Sequence, residues 1–236
     1  MDCYFNEYGQ PIGAPLLGWT ERRLPAEITL RGEFCYLEPL NLERHAHDLY
    51  DAYTSADDDR DWTYLPIGPF HSEEEYFGFV RYASTSTDTK HYAVVDSRLK
   101  QPVGTIALMR ADIQSGSIEV GWVIFSPLLK RKPASTEAQF LLMQYVFEGL
   151  GYRRYEWKCD NLNAPSRQAA LRLGFTFEGV FRQAAVYKER SRDTAWFSVI
   201  DKEWPSLKRA FIEWLTPSNF DRSGCQVKSL SEIRTR

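Results

Sequence analysis

Three cations in a row, Lys130, Arg131 and Lys132, stand directly before Pro133 and a stretch of helical periodicity that carries Ser135 and Thr136 near its start. A basic loop feeding a helix start is an anion-binding arrangement. The first helical N–H groups lack partners, and the aligned peptide dipoles add partial positive charge. A second helix start, Asn163-Ala-Pro-Ser166, follows after one intervening strand and can lie beside the first. Two neighbouring helix starts suit a long phosphorylated ligand better than an isolated phosphate. The plainer reading of the three cations is a solvated loop. Upstream, Glu119 sits in an apolar strand, where a carboxylate is a candidate general base because desolvation favours proton uptake. A structural ion pair is the competing role for it. The run Asp57-Asp-Asp-Arg-Asp61-Trp62-Thr-Tyr64 sets four aspartates among aromatic rings, a composition that attracts and stacks on a cationic amine, although most charge runs are solvated faces.

These residues are carried by elements that can be read in order. Residues 1–33 hold scattered Gly and Pro without sustained period and predict an irregular arm, draped on the domain by Trp19, Leu24 and Ile28. A strand over Phe34 to Leu40 is followed by a helix from Leu42 to about Thr54, capped by Asn41. Ser72 and Glu75 form a capping-box pattern that opens a second helix. Strands His91 to Asp96, Pro102 to Arg110 and Ser117 to Phe125 follow in quick succession, joined by hairpin-like turns. Next come a helix from about Ser135, a strand from Tyr152 to Asp160, a helix ending at Gly174, a long hairpin, and a helix from Pro205 to Leu215. The tail, residues 216–236, is expected to be mobile. Three antiparallel strands ahead of one βαβ crossover define an α+β class with a mixed, mostly antiparallel sheet flanked by helices.

Composition narrows the partners. The 236 residues suffice for a sizeable core, and the 43 % hydrophobic and 26 % charged content is that of an ordinary globular chain. A net charge of −3 argues against nucleic acid as principal partner. Met1-Asp-Cys-Tyr-Phe-Asn-Glu lacks a basic region before an apolar run, and no apolar stretch is long enough to span a bilayer, so neither signal peptide nor membrane is expected. Four scattered cysteines predict a reduced, cytoplasmic protein. The four dispersed histidines suggest no metal cluster, and no cysteine is paired with a histidine as a covalent nucleophile would be.

Ile118-Glu119-Val120-Gly121-Trp122, Ser135-Thr136-Glu137-Ala138 and Asn163-Ala-Pro-Ser166 leading to Leu173-Gly174-Phe175 together resemble the GNAT superfamily of acetyl-CoA-dependent N-acetyltransferases, closest to the branch that modifies ribosomal-protein N-termini. The resemblance covers 34–215 as one acetyltransferase domain. It implies acetyl transfer from acetyl-CoA to an amine acceptor, either a protein N-terminus or a small molecule, by direct attack in a ternary complex and without a metal. By resemblance, Glu119 is the catalytic base and Ser166 the proton donor to the thiolate. Val123, Ile124, Phe125 and Asn163 would contact the pantetheine arm, with one strand N–H for the oxyanion. Lys130, Arg131, Lys132, Ser135 and Thr136 would hold the pyrophosphate, and Asp61, Trp62 and Tyr64 lie where the acceptor binds. The family's phosphate loop normally carries glycines near the positions of Arg131 and Pro133, and three cationic side chains stand in for them here. A homodimer is compatible with this reading. The alternative is a non-catalytic CoA-binding or partner-binding module on the same fold. An aromatic-rich carbohydrate or peptide binder, suggested by seven Trp and thirteen Tyr, would need an exposed aromatic platform.

Overall fold

Along Tyr92-Ala-Val-Val95 every residue is buried, with Tyr92 and Val94 facing one core and Ala93 and Val95 another. A strand buried on both faces must be covered by helices on both. The computed structural model, which describes residues 3–222 and 224–235, shows that sandwich. A small hairpin of β1 (Tyr4–Phe5) and β2 (Pro11–Ile12) precedes an eight-stranded sheet. The sheet comprises β3 (Leu30–Arg31), β4 (Cys35–Pro39), β5 (Thr89–Asp96), β6 (Pro102–Asp112), β7 (Ser117–Phe125), β8 (Arg154–Asp160), β9 (Thr176–Tyr187) and β10 (Arg190–Ile200). Their spatial order is β3-β4-β5-β6-β7-β8-β10-β9. Neighbours are antiparallel except β7 and β8, which run parallel.

Helices α1 (Leu42–Thr54) and α2 (Glu73–Ser84) cover one face, with Leu49, Tyr53, Tyr76 and Val80 in its core. The other face is covered by α3 (Pro133–Gln144), α4 (Ala164–Leu173), α5 (Trp204–Leu215) and α6 (Leu230–Arg234). Helix α4 stops at Gly174, whose φ of 100° is left-handed, a conformation that glycine adopts without steric cost. The next residue, Phe175, then turns into the core. That is the local reason for Leu173-Gly174-Phe175.

The mostly antiparallel α+β arrangement with one crossover is the expected one. The ends of the chain differ from expectation. The tail is not a loose extension: Ser229 and Glu232 close a reciprocal capping box, and Leu230 and Ile233 of α6 are buried against α4 and α5. The apolar pair on one helical face supplies the reason. In the arm, β3 joins the sheet and Trp19 packs on Gly116, its indole N–H donating to the Gln114 carbonyl.

Glu137, at the second turn of α3, fastens this helix to the sheet edge. Its carboxylate accepts the backbone N–H groups of Glu33, Phe34 and Cys35 at 2.7–2.8 Å and fills the space beside Gly32, where any side chain would collide. Glu137→Ala strands these donors, each at a cost of about 1–3 kcal/mol where buried. Urea unfolding should therefore show a loss of at least ~3 kcal/mol; an unchanged midpoint would contradict the clamp.

Candidate functional site

The parallel pairing of β7 and β8 is short. It joins Ser117, Ile118, Glu119 and Val120 to Arg154, Tyr155, Glu156 and Trp157, and then stops. Beyond it, Trp122 and Val123 form a bulge with no partners on β6, and Trp122 adopts φ 50°. A left-handed non-glycine residue costs roughly 1–2 kcal/mol. Packing of the Trp122 ring against Phe79 and His91, at 5.9 Å each, offsets this. β7 then continues along β6 while β8 continues along β10, so a gap opens between their C-terminal halves. Gly104 lets β6 approach the far side of the bulge: a Cβ there would lie 2.9 Å from the Ile124 carbonyl oxygen. Of the three residues expected to present backbone groups to a ligand, Val123 sits in the bulge itself. Ile124 does not offer its carbonyl freely, because Tyr53 Oη donates to it at 3.0 Å. Phe125 is back in register with Gly104.

Both predicted helix starts face the end of the sheet where this gap lies. Lys132 is the N-cap of α3 and Pro133 its first residue, a position where the missing N–H removes no helical bond. Arg131 has φ 60°, so the loop keeps a glycine-like conformation without glycine. The Arg131 and Ala134 N–H groups make no hydrogen bond within the described residues. Arg131 and Lys132 are exposed and have no carboxylate partner among them, whereas Lys130 pairs with Asp61. Ser135 Oγ donates to the Lys132 carbonyl at 2.7 Å. The Thr136 hydroxyl points inward, accepting from both terminal nitrogens of Arg172 at 3.0 and 3.1 Å. That guanidinium lies over Trp214 with no carboxylate partner among the described residues, and burial lowers its pKa.

At the other helix start, Asn163 Oδ1 accepts the Ser166 N–H, the expected N-cap. The Ser166 hydroxyl oxygen accepts the Trp157 indole N–H at 3.0 Å, which leaves its own proton to donate. Its neighbour Cys159 is buried, and burial pushes the thiol pKa up, against a smaller lowering by Ser166. This cysteine stays protonated at neutral pH and is a poor nucleophile. All four cysteines are free.

Glu119 is buried in a chain of charges. Its Oε2 accepts from Arg110 at 2.7 Å and forms an ion pair with Lys158 at 2.8 Å. Lys158 also pairs with Glu156, and its ammonium lies 3.8 Å over Trp196. Arg154 extends the chain to Glu156 and Glu178. For Glu156, burial works to raise the pKa, but the hydrogen bonds from Arg154 and Lys158 prevail and lower it. The Arg154 hydrogen bond dominates at Glu178 and lowers its pKa too. The ion-paired role set beside catalysis for Glu119 is therefore realised; its other oxygen, Oε1, makes no hydrogen bond among the described residues and lies towards Gly121.

The acidic loop is fixed at both ends of the cleft. Asp61 meets Lys130, while Lys188 and Arg190 at the tip of the β9–β10 hairpin donate to the carbonyls of Trp62 and Thr63 at 2.8 and 2.6 Å. Trp62 is buried, edge-on to Tyr53 and Phe70; Tyr64 is half-buried beside it. Near the end of β8, Tyr187 donates to Asp160 at 2.7 Å; burial, then this bond, push its pKa to about 12. Sequence reading missed Tyr53, Arg110, Trp157, Lys158, Arg172, Lys188 and Arg190. Only the basic character of some offered a signal. One histidine, His47, lies with Asp51 and Glu73 so that their possible ligand atoms come within 4.8 Å, but all three are exposed and already linked as ion pairs. No helix of the described residues is long and apolar enough to cross a membrane.

Comparison with known proteins adds independent findings. The acetyltransferase (GNAT) domain profile matches residues 35–176. A GCN5-related N-acetyltransferase from Brucella melitensis is 49 % identical, with a TM-score of 0.92 over 94 % of this chain and 100 % of its own. A structure from Chromobacterium violaceum, described as a probable acetyltransferase of the GNAT family, is 41 % identical with a TM-score of 0.77, over 83 % of this chain and 98 % of its own. An uncharacterized N-acetyltransferase, p20, from Bacillus licheniformis is 25 % identical over 73 % of this chain and 98 % of its own.

Proposed function

The chain belongs to the GNAT acetyltransferase family, and from that premise we propose that it moves an acetyl group from acetyl-CoA to a primary amine, on a protein N-terminus or a small molecule, by direct attack in a ternary complex. The observation that carries this reading is the gap opened by the Trp122 bulge between two helix starts, one of them preceded by exposed cations.

The residues present fit the co-substrate, which supplies an activated thioester. Arg131, Lys132 and the free N–H groups of Arg131 and Ala134 hold the pyrophosphate, with Arg172 adding charge behind them. Lys130 joins by exchanging Asp61 for phosphate. Val123 offers backbone groups to the pantetheine and an N–H to the developing oxyanion, beside Asn163. An alkylamine is only about one part in a thousand neutral at pH 7, so its proton must be removed. Glu119 takes it at Oε1, through water, while Arg110 and Lys158 fix Oε2. Ser166 donates to the departing thiolate, its hydroxyl oriented by Trp157. The raised Cys159 pKa supports a route without an acyl-cysteine.

Glu119→Gln should lower the rate at neutral pH by roughly a hundred-fold, a typical loss for a general base, with CoA affinity nearly intact. Equal rates for variant and parent from about pH 6 to 9 would remove Glu119 from the chemistry. Calorimetry with acetyl-CoA should give micromolar binding to the intact protein, weakened at least ~10-fold when Lys130, Arg131 and Lys132 are all replaced by Ala. No binding to the intact protein would overturn the proposal; equal binding by both proteins would remove the loop from it.

A further inference from the structure

Residues 3–18 hold a hairpin that the rest of the chain does not cover. β1 and β2 pair only with each other. Every residue of 3–18 is exposed except Asn6, whose Oδ1 accepts the Tyr8 and Gln10 N–H groups and holds the turn. Leu17 is 93 % exposed and Tyr8 79 %, with Phe5 and Ile12 also open. An isolated two-stranded hairpin is marginally stable in water, and a run of uncovered apolar side chains marks a surface made to be buried.

A matching surface lies at the sheet edge opposite β3. β9 is twelve residues long, pairs on one side only, with β10, and has no buried residue. Val186 is 80 % exposed and Phe181 57 %, beside Phe177 and Val180. A long apolar edge strand offers unpaired backbone groups as well as side chains, and proteins rarely leave one open. Charge points the same way. Glu7 is the sole charged residue in 3–18, and on β9 Glu178 is taken by Arg154 while Arg182 is free. Neither Glu7 nor Arg182 has an oppositely charged partner among the described residues.

Trp19 fixes where the arm leaves the domain. It packs on Gly116 and against Arg153, beside the start of β8. Arg154 pairs with Ile200 of β10, and Ser198 of β10 pairs with Thr176, so β9 begins two strands away, about 10 Å. Residues 13–18, between β2 and Trp19, span up to ~20 Å when extended. The hairpin therefore emerges close enough to β9 to cross that edge and reach a molecule on its far side. Each chain carries both surfaces, so the contact closes about a two-fold axis. Arm and β9 together supply roughly the 20–30 residues a side of a stable interface. We propose that the chain forms a homodimer in which the arm of each molecule lies along β9 of the other, adding its hairpin to the open edge of that sheet. The tip of the same β9–β10 hairpin holds the acidic loop through Lys188 and Arg190, so the contact also braces one wall of the cleft.

Sedimentation velocity of the intact protein at about 10 µM should give twice the chain mass. Tyr8→Asp/Leu17→Asp in the arm and Arg182→Glu/Val186→Asp on β9 replace exposed side chains, and each variant should raise the dissociation constant at least ~10-fold. Mixing the two variants at about 100 µM should recover a heterodimer, because one intact arm then meets one intact β9. A monomer at up to ~100 µM, a dimer that either variant leaves undisturbed, or a mixture that stays monomeric would overturn the proposal. Amide exchange guards against misfolding. In the arm variant β9 should exchange faster than in the intact protein although none of its residues has changed, while β5 keeps its protection. Equal exchange of β9 in the two proteins would count against the arm as its cover.

Discussion

The candidate site depends on one interruption of strand pairing. β7 and β8 share four residue pairs, after which the bulge at Trp122 and Val123 turns β7 away. Backbone groups in a sheet are normally consumed by the ladder. A bulge between diverging parallel strands releases some of them into a cleft lined by helix starts. The cost of the left-handed Trp122 is met by packing between Phe79 and His91, and the far side of the bulge is braced by Tyr53 and Gly104. Sheet, α1–α2 layer and bulge hold one another in place.

Electrostatics organises the two sides of the gap differently. On the side where the strands still pair, Arg110, Glu119, Lys158, Glu156, Arg154 and Glu178 form a continuous chain of alternating charge. Removing one member leaves a neighbour uncompensated in a largely buried setting, so the chain favours a single arrangement. At the other end, surface pairs are fewer and the exposed cations of the α3 loop remain available. The Lys130–Asp61 pair joins the two loops that the family reading assigns to different substrates.

Much of the fold was legible because it rests on local patterns. α2 begins at its Ser72 N-cap, although the Glu75 carboxylate turns back to the His71 N–H rather than closing a capping box, and Gly174 ends α4 as a left-handed cap should. The tail helix was legible too, since Ser229 and Glu232 are a capping-box pair, but a single short turn is easily taken for loose chain. The site was legible only in part. Nothing in the residue types announces a left-handed Trp122. The partners of Glu119 come from the register of β6 and β8, which sequence patterns alone do not fix. Trp62 reads as a ring for stacking, yet most of it is buried and its carbonyl, held by Lys188, makes the polar contact. Lys188 and Arg190 lie far from this loop in sequence, and only the length of the β9–β10 hairpin brings them there.

The central claim is that the gap between β7 and β8 receives the pantetheine arm, with phosphates at the start of α3. Amide hydrogen exchange followed residue by residue, with and without acetyl-CoA, addresses it most directly. The account predicts slowed exchange at Val123, Arg131 and Ala134 on binding, with little change at the β1–β2 hairpin. Slowing confined to other surfaces, with Val123 and the α3 start unaltered in the bound protein, would contradict it.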